Sequence, residues 1–139
     1  MLSYIASNPM EDLIKGVCEE LNITILSKIG EIDFLQYIKE TKVNFKLIKY
    51  IIIELKSLKG TEENIINGIR YFYEVYPNIR IIILASGYDD QNDILTNLYE
   101  KGIYNIINSV ELEKIKSELK KSLISDGLSK KESKRFKKA

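Results

Sequence analysis

Lys49-Tyr50-Ile51-Ile52-Ile53-Glu54-Leu55 and Ile79-Arg80-Ile81-Ile82-Ile83-Leu84-Ala85-Ser86 are the stretches whose reading decides the fold. Both are runs of β-branched residues with almost no polar alternation. A strand with one wet face alternates apolar and polar side chains. A run without alternation needs apolar cover on both faces, as in central parallel strands flanked by helices. In such sheets chemistry gathers where the strands end. The first run ends in Glu54, so Glu54 is the first site candidate.

Working outward, strand and helix alternate along the chain. A first strand is predicted over Ser3 to Ala6. Asn8-Pro9-Met10-Glu11 opens a helix, with a capping Asn, Pro at the first helical position and Glu reaching back. That helix runs to about Asn22, with Ile14, Val17, Cys18 and Leu21 on one face. Ile23 to Ser27 reads as the second strand and Ile32 to Lys42 as the second helix. After the third strand, Thr61 caps a helix with Glu62 and Glu63 in its first turn, and Pro77 ends it. The fourth strand is Ile79 to Leu84. The fourth helix starts near Asp90 and stops at Gly102. The fifth strand is Ile103 to Ile107, and the fifth helix runs from Glu111 to about Ile124, with Leu112, Ile115, Leu119 and Leu123 as its stripe.

Five such units with short loops imply right-handed crossovers and a three-layer α/β sandwich. The expected class is a flavodoxin-like (βα)5 fold with strand order 2-1-3-4-5. Residues 1–125 form the domain, and 126–139 form a basic tail. Ser129-Lys130-Lys131-Glu132 is a capping box that opens a short basic helix there.

A chain of 139 residues is the size of one domain. No apolar run reaches the roughly 18 residues that cross a bilayer. The N-terminus has no basic, then apolar, leader pattern. The expectation is a cytoplasmic protein without membrane contact. Cys18 is the only cysteine and histidine is absent. That excludes an internal disulfide, Cys/His zinc sites and imidazole as a general base. Cys18 reads as a core thiol. The formal charge of +1 hides an asymmetry: the tail carries six basic and two acidic residues, while the rest carries fifteen and eighteen. Richness in Ile, Asn and Lys suggests an AT-rich bacterial, plasmid or phage genome.

The segments Ile5-Ala6-Ser7-Asn8-Pro9, Tyr50-Ile51-Ile52-Ile53-Glu54, Ile79 to Ala85 and Gly102-Ile103-Tyr104-Asn105-Ile106-Ile107 together resemble receiver domains of bacterial response regulators. The look is nearest to the degenerate, receiver-like N-terminal domains of the TadZ and CpaE kind, attached to ParA/MinD-type ATPases of pilus assembly. The resemblance implies an acid pair after the first strand to hold Mg²⁺, an aspartate ending the third, a hydroxyl ending the fourth and a lysine ending the fifth. Here Ser7 and Asn8, Glu54, Ala85 (with Ser86 next) and Asn108 or Ser109 stand at those places. Phosphoryl transfer depends on positioned metal and charge, so these replacements remove its parts. Glu54 is the phosphoacceptor equivalent, not expected to be phosphorylated. It could mimic an activated state, but a structural role is preferred: capping a helix N-terminus or meeting a nearby lysine.

Other chemistry is poorly supported. There is no Gly-x-x-x-x-Gly-Lys-Ser/Thr segment and no Gly-x-Gly-x-x-Gly after the first strand. The first loop is too short to cradle a flavin phosphate. No cofactor, no metal and no enzymatic activity are expected. Asp89, Asp90 and Asp93 read as helix N-terminal acids. The interaction face implied by the resemblance lies on the fourth helix, the fifth strand and the fifth helix, at Leu98, Tyr99, Tyr104, Asn105 and exposed residues of the fifth helix. It would take a protein partner or a second copy, making a pseudo-receiver that works by docking. The alternative is a nucleic-acid-associated regulator, with Lys130, Lys131, Lys134, Arg135, Lys137 and Lys138 on phosphates.

Overall fold

In the computed structural model, which describes residues 1–139, the two isoleucine runs lie at the centre of one parallel five-stranded sheet. The strands are β1 (Leu2–Ile5), β2 (Ile25–Ile29), β3 (Tyr50–Glu54), β4 (Arg80–Leu84) and β5 (Asn105–Ile107), in the order β2-β1-β3-β4-β5. The helices are α1 (Asn8–Glu20), α2 (Phe34–Glu40), α3 (Glu62–Val75), α4 (Asp93–Glu100) and α5 (Leu112–Leu123). This is the expected flavodoxin-like arrangement. Every residue of β3 is buried because both faces of the sheet are covered. Ile51 and Ile53 face a core shared with α2, α3 and α4, while Tyr50 and Ile52 face one shared with α1 and α5. The first core has 23 buried residues and the second 14. The larger one also takes in Phe136 from the tail.

Several boundaries move from the expected ones, each for a local reason. Leu21 to Ile23 are used in closing α1: Ile23 N–H donates to Cys18 O at 2.8 Å, and Asn22 sits at φ 55°. The edge strand β2 therefore starts two residues late, and it alternates half-buried and exposed residues. At the other end of α1 the cap is Ser7, without a side-chain cap bond, instead of Asn8. α2 is shorter than expected because Asp33 caps it and Ile32 pairs with Leu58 across the neighbouring loop. α4 starts at Asp93 because Tyr88 to Asn92 form turns, with Asn92 Oδ1 accepting from Ile94 N–H at 2.9 Å. β5 starts at Asn105, since Gly102 and Ile103 complete the C-terminal turn of α4. Gly102 stands at φ 102°, and a Cβ there would lie 2.9 Å from the Tyr73 hydroxyl. Leu112 leaves the expected stripe: it is 65% exposed in the first turn of α5, which Asn108 to Glu111 carry off the end of the sheet.

The thiol of Cys18 is buried, and burial pushes it up to about 11. α5 ends against the sheet. Arg80 donates from Nη1 to Ser122 O at 2.8 Å and from Nη2 to Ser125 O at 2.7 Å. Tyr50 Oη donates to Leu123 O at 3.1 Å. A cation at terminal helix carbonyls opposes the negative end of the helix dipole. The chain then turns at Gly127, whose φ is 73°. A Cβ at Gly127 would lie 2.6 Å from Asn105 Oδ1, so the turn admits only glycine at this spacing.

The basic tail folds back onto α4 and β5. It is not the short α-helix expected from its capping box. The box forms, with Glu132 N–H donating to Ser129 Oγ at 3.1 Å and Ser129 N–H to Glu132 Oε1 at 3.2 Å. Turns and a single 3-10 turn at Lys134–Phe136 follow. So short a segment gains little from helix propagation, and burial of Phe136 decides its path. No helix of the chain is long and apolar enough to cross a membrane.

Candidate functional site

The rim at the C-terminal ends of the strands is built by register. Glu54 pairs with Leu84, and Leu84 pairs with Ile107. Ser7, Ala85 and Asn108 therefore leave the sheet around the Glu54 side chain. Glu54 is 6% exposed. Its Oε1 accepts from Ser7 N–H at 2.8 Å and from Ser57 Oγ at 3.2 Å. The first of these is a donor at the entry to α1, so the helix-capping role expected for Glu54 is the one the geometry displays. Its lysine alternative is not: no lysine pairs with Glu54. Tyr88 lies across from it. Burial raises the Tyr88 hydroxyl above its ordinary value, and the charges of Glu54 and Glu62 add to the shift.

The other rim positions are also engaged. Lys28 of β2 donates to Asn8 Oδ1 at 3.0 Å and pairs with Glu11, which Lys15 meets at 2.8 Å. A lysine ammonium thus stands at the mouth of β1. Ala85 follows β4 in the expected register, with its N–H on Ile107 O at 2.8 Å. Asn108 Nδ2 donates to Tyr88 O at 2.9 Å and to Asp90 Oδ1 at 2.7 Å. Asp89 accepts from Gln91 N–H at 2.8 Å, and Asp93 lies in the first turn of α4. Of the three acids expected at the helix N-terminus, only Asp93 stands there; Asp89 serves the preceding turn and Asp90 meets the distant Asn108 and Arg135. No three carboxylate or thiolate groups converge to hold a metal ion.

A second candidate lies between α4 and the tail. Four of its residues were singled out from the sequence, and the fold treats them unequally. Leu98 is fully buried, Tyr99 is 6% exposed and Asn105 is 8% exposed, so these three cannot serve as open contacts. The tail bonds to two of them, and Leu98 lies in the larger core. Asn105 Oδ1 accepts from Leu128 N–H at 2.7 Å, and Tyr99 Oη donates to Lys130 O at 3.3 Å. Tyr104 is half-buried, its ring 5.4 Å from that of Tyr99. Its carbonyl accepts from Ser133 Oγ. Gln91 closes the end of the strap by donating to Lys137 O at 2.9 Å and accepting from Ala139 N–H at 2.9 Å. Arg135, though exposed, is engaged by Asn108 Oδ1 at 3.2 Å, by Asp90 at 3.7 Å and by the Phe136 ring.

The five tail lysines behave differently. Lys130, Lys131, Lys134, Lys137 and Lys138 are all exposed and none forms an ion pair. Together they line a groove of about 680 Å³ against Thr96, Tyr99, Glu100 and Tyr104. The two sequence-level candidates, an interaction face and a basic tail, are therefore one surface. Phe136 is the residue that joins them. The sequence signal for it was present: one large apolar side chain inside Lys134-Arg135-Phe136-Lys137-Lys138.

No family model matches the chain, and no curated protein matches its sequence. Among solved structures, the RcsB response regulator of Salmonella typhimurium, described for its conformational dynamism in DNA interaction, is similar with a TM-score of 0.61 and 16% identity. The likeness covers 97% of this chain and 68% of that one. At that identity it establishes a receiver-like fold and nothing finer.

Proposed function

We propose that this chain is a receiver-like regulatory module that acts by binding and carries out neither catalysis nor phosphoryl transfer. The observation that carries the reading is the state of Glu54. Its carboxylate is buried and already bonded to Ser7 N–H and Ser57 Oγ. Both bonds fall on Oε1, and phosphoryl transfer further needs metal and cationic groups around the transferred phosphoryl. Here Asn8, Ala85 and Asn108 occupy the supporting positions, and the nearby ammonium of Lys28 is committed to Asn8 and Glu11. The partner in this reading is a protein met in the cytoplasm, or a second copy of the chain. The resemblance to TadZ- and CpaE-type domains favours a ParA/MinD-type ATPase or a secretion or conjugation system. Contact is made by the outer surface that the tail lays over α4 and β5.

The test is incubation with acetyl phosphate and Mg²⁺ followed by intact-mass measurement. The expected result is no gain of a phosphoryl group. A stable adduct that disappears in Glu54→Gln would overturn the proposal.

A second reading, a nucleic-acid-associated regulator, is favoured by one observation: five exposed lysines without carboxylate partners on one groove. Deleting residues 127–139 is a poor test of it, because Phe136 belongs to the core. Replacing lysines leaves the anchor in place. A gel-shift that survives Lys130→Gln combined with Lys134→Gln unchanged would argue against this reading.

A further inference from the structure

We infer that the groove between α4 and the tail is a binding site for single-stranded nucleic acid, with phosphates on the tail lysines and a base against the Tyr104 ring. The inference rests on the second reading above and specifies its ligand. Like charges gathered on one concavity repel one another, and some basic residues elsewhere in this chain have an acid partner within the fold. Lys28 has Glu11; Lys116 and Lys120 have Glu20; Arg135 has Asp90. The five groove lysines have no such partner, and the one acid on the walls is Glu100. The surface is therefore complementary to a polyanion.

Three features narrow the polyanion. The recess of about 680 Å³ is walled by Tyr99 and Tyr104, of which Tyr99 is buried and Tyr104 is partly exposed. A π-face beside a cationic track is the arrangement that accepts unstacked bases of any sequence. A duplex keeps the faces of its bases stacked inside and offers phosphates and base edges in its grooves, with no free base face to lay on a tyrosine. A peptide that binds by adding a strand needs a free sheet edge. Here the residues before, in and after the edge strand β5 are already held by the tail: Tyr104 O by Ser133, Asn105 by Leu128 and Asn108 by Arg135.

The experiment is fluorescence anisotropy of a labelled short oligothymidylate with the full chain, titrated from low to moderate salt. Competitors are a duplex of equal length, polyphosphate and polyglutamate. Binding is expected with a slope of log K against log salt of about −3.5, the value for five neutralised phosphates on a single strand. Lys131→Gln with Lys138→Gln should make that slope shallower by about 1.4. Tyr104→Leu, which keeps apolar bulk, should weaken oligothymidylate roughly tenfold while leaving polyphosphate competition unchanged. Glu100→Gln should tighten binding severalfold at low salt, a gain that misfolding cannot imitate. Failure of Tyr104→Leu to separate the two probes, or equal competition by duplex, overturns this inference and leaves the second reading standing. Equal competition by polyglutamate overturns it in favour of an acidic protein partner. No binding of any polyanion at low salt overturns both.

Discussion

Glu54 and the tail lysines are the two places where charge stands out in this molecule, and the fold uses them in opposite ways. Glu54 is buried, and its accepting oxygen is occupied by a backbone donor and a hydroxyl. Its charge is spent inside the domain, holding the entry of α1 against the end of β3. The lysines are exposed, gathered and unpartnered. In a receiver-like fold the strand rim is the expected place for chemistry. Here the rim is internally satisfied, and unsatisfied electrostatic potential lies at the edge of the sheet instead. Burial raises the value of a charge to its own fold, while exposure leaves it for a partner.

The comparison breaks most easily at Phe136, because the groove exists only while the tail is docked. Phe136 is fully buried among residues of the larger core. Phe136→Ala should cost about 3 kcal/mol, the lower end of the range for buried aromatics. Urea unfolding measures the loss, and hydrogen exchange at the Leu128 amide reports release of the strap. Gly127→Ala should act in the same direction, since its Cβ would strike Asn105 Oδ1. If Phe136→Ala leaves the midpoint unchanged, the tail is a solvated appendage and the lysines line no groove.

The sequence made the sheet legible because parallel strands buried on both faces read as unbroken apolar runs, and β3 and β4 are such runs. The edge strand β2 was blurred for the complementary reason: one side of it is wet, and the α1 closing turn at Asn22 shifts its start. Thr61 was readable as a cap because the bond it makes, to Asn64 N–H at 3.1 Å, is local. The role of Glu54 was readable in kind, as a residue ending a central strand, but its donors come from positions 7 and 57 and only the fold unites them. Leu98, Tyr99 and Asn105 were placed on the right elements. Asn105 and Tyr99 are bonded by the tail at Leu128 and Lys130, and the capping box at Ser129 and Glu132 argued locally for a helix instead. Local propensity is a weak guide where a single distant anchor decides the path.

A smaller effect sharpens the Glu54 side of the comparison. Glu54→Ala removes the acceptor of a part-buried N–H and of a buried hydroxyl, and should destabilise by about 1–3 kcal/mol. Glu54→Gln keeps a carbonyl oxygen at that place and should cost about 1 kcal/mol or less. The gap between the two variants, read by chemical denaturation, measures acceptor against charge. Loss of partner binding in Glu54→Gln at unchanged stability would show the charge itself being read, as an activated-state mimic requires.

Glu20 tests the same rule at its weakest point, where a charge is both exposed and paired. It lies between Lys116, at 3.2 Å, and Lys120, tying α1 to α5. The hydrogen bond from Lys120, then that from Lys116, holds its carboxyl below the ordinary value of 4.5. A carboxylate whose folded pKa lies below its unfolded one stabilises the fold fully above the unfolded value. That contribution is lost as pH falls through the folded pKa. Glu20→Gln should therefore be slightly less stable than the parent chain at neutral pH, and the difference should shrink progressively below pH 4.5. It should also shrink with added salt, since exposed pairs are screened. The tail lysines supply the contrast: Lys131→Gln breaks no pair, so it should leave stability unchanged at every pH while weakening polyanion binding. If Lys131→Gln instead lowers stability with the acid-sensitive profile of Glu20→Gln, the lysine has a partner within the fold, and the division between spent and available charge fails.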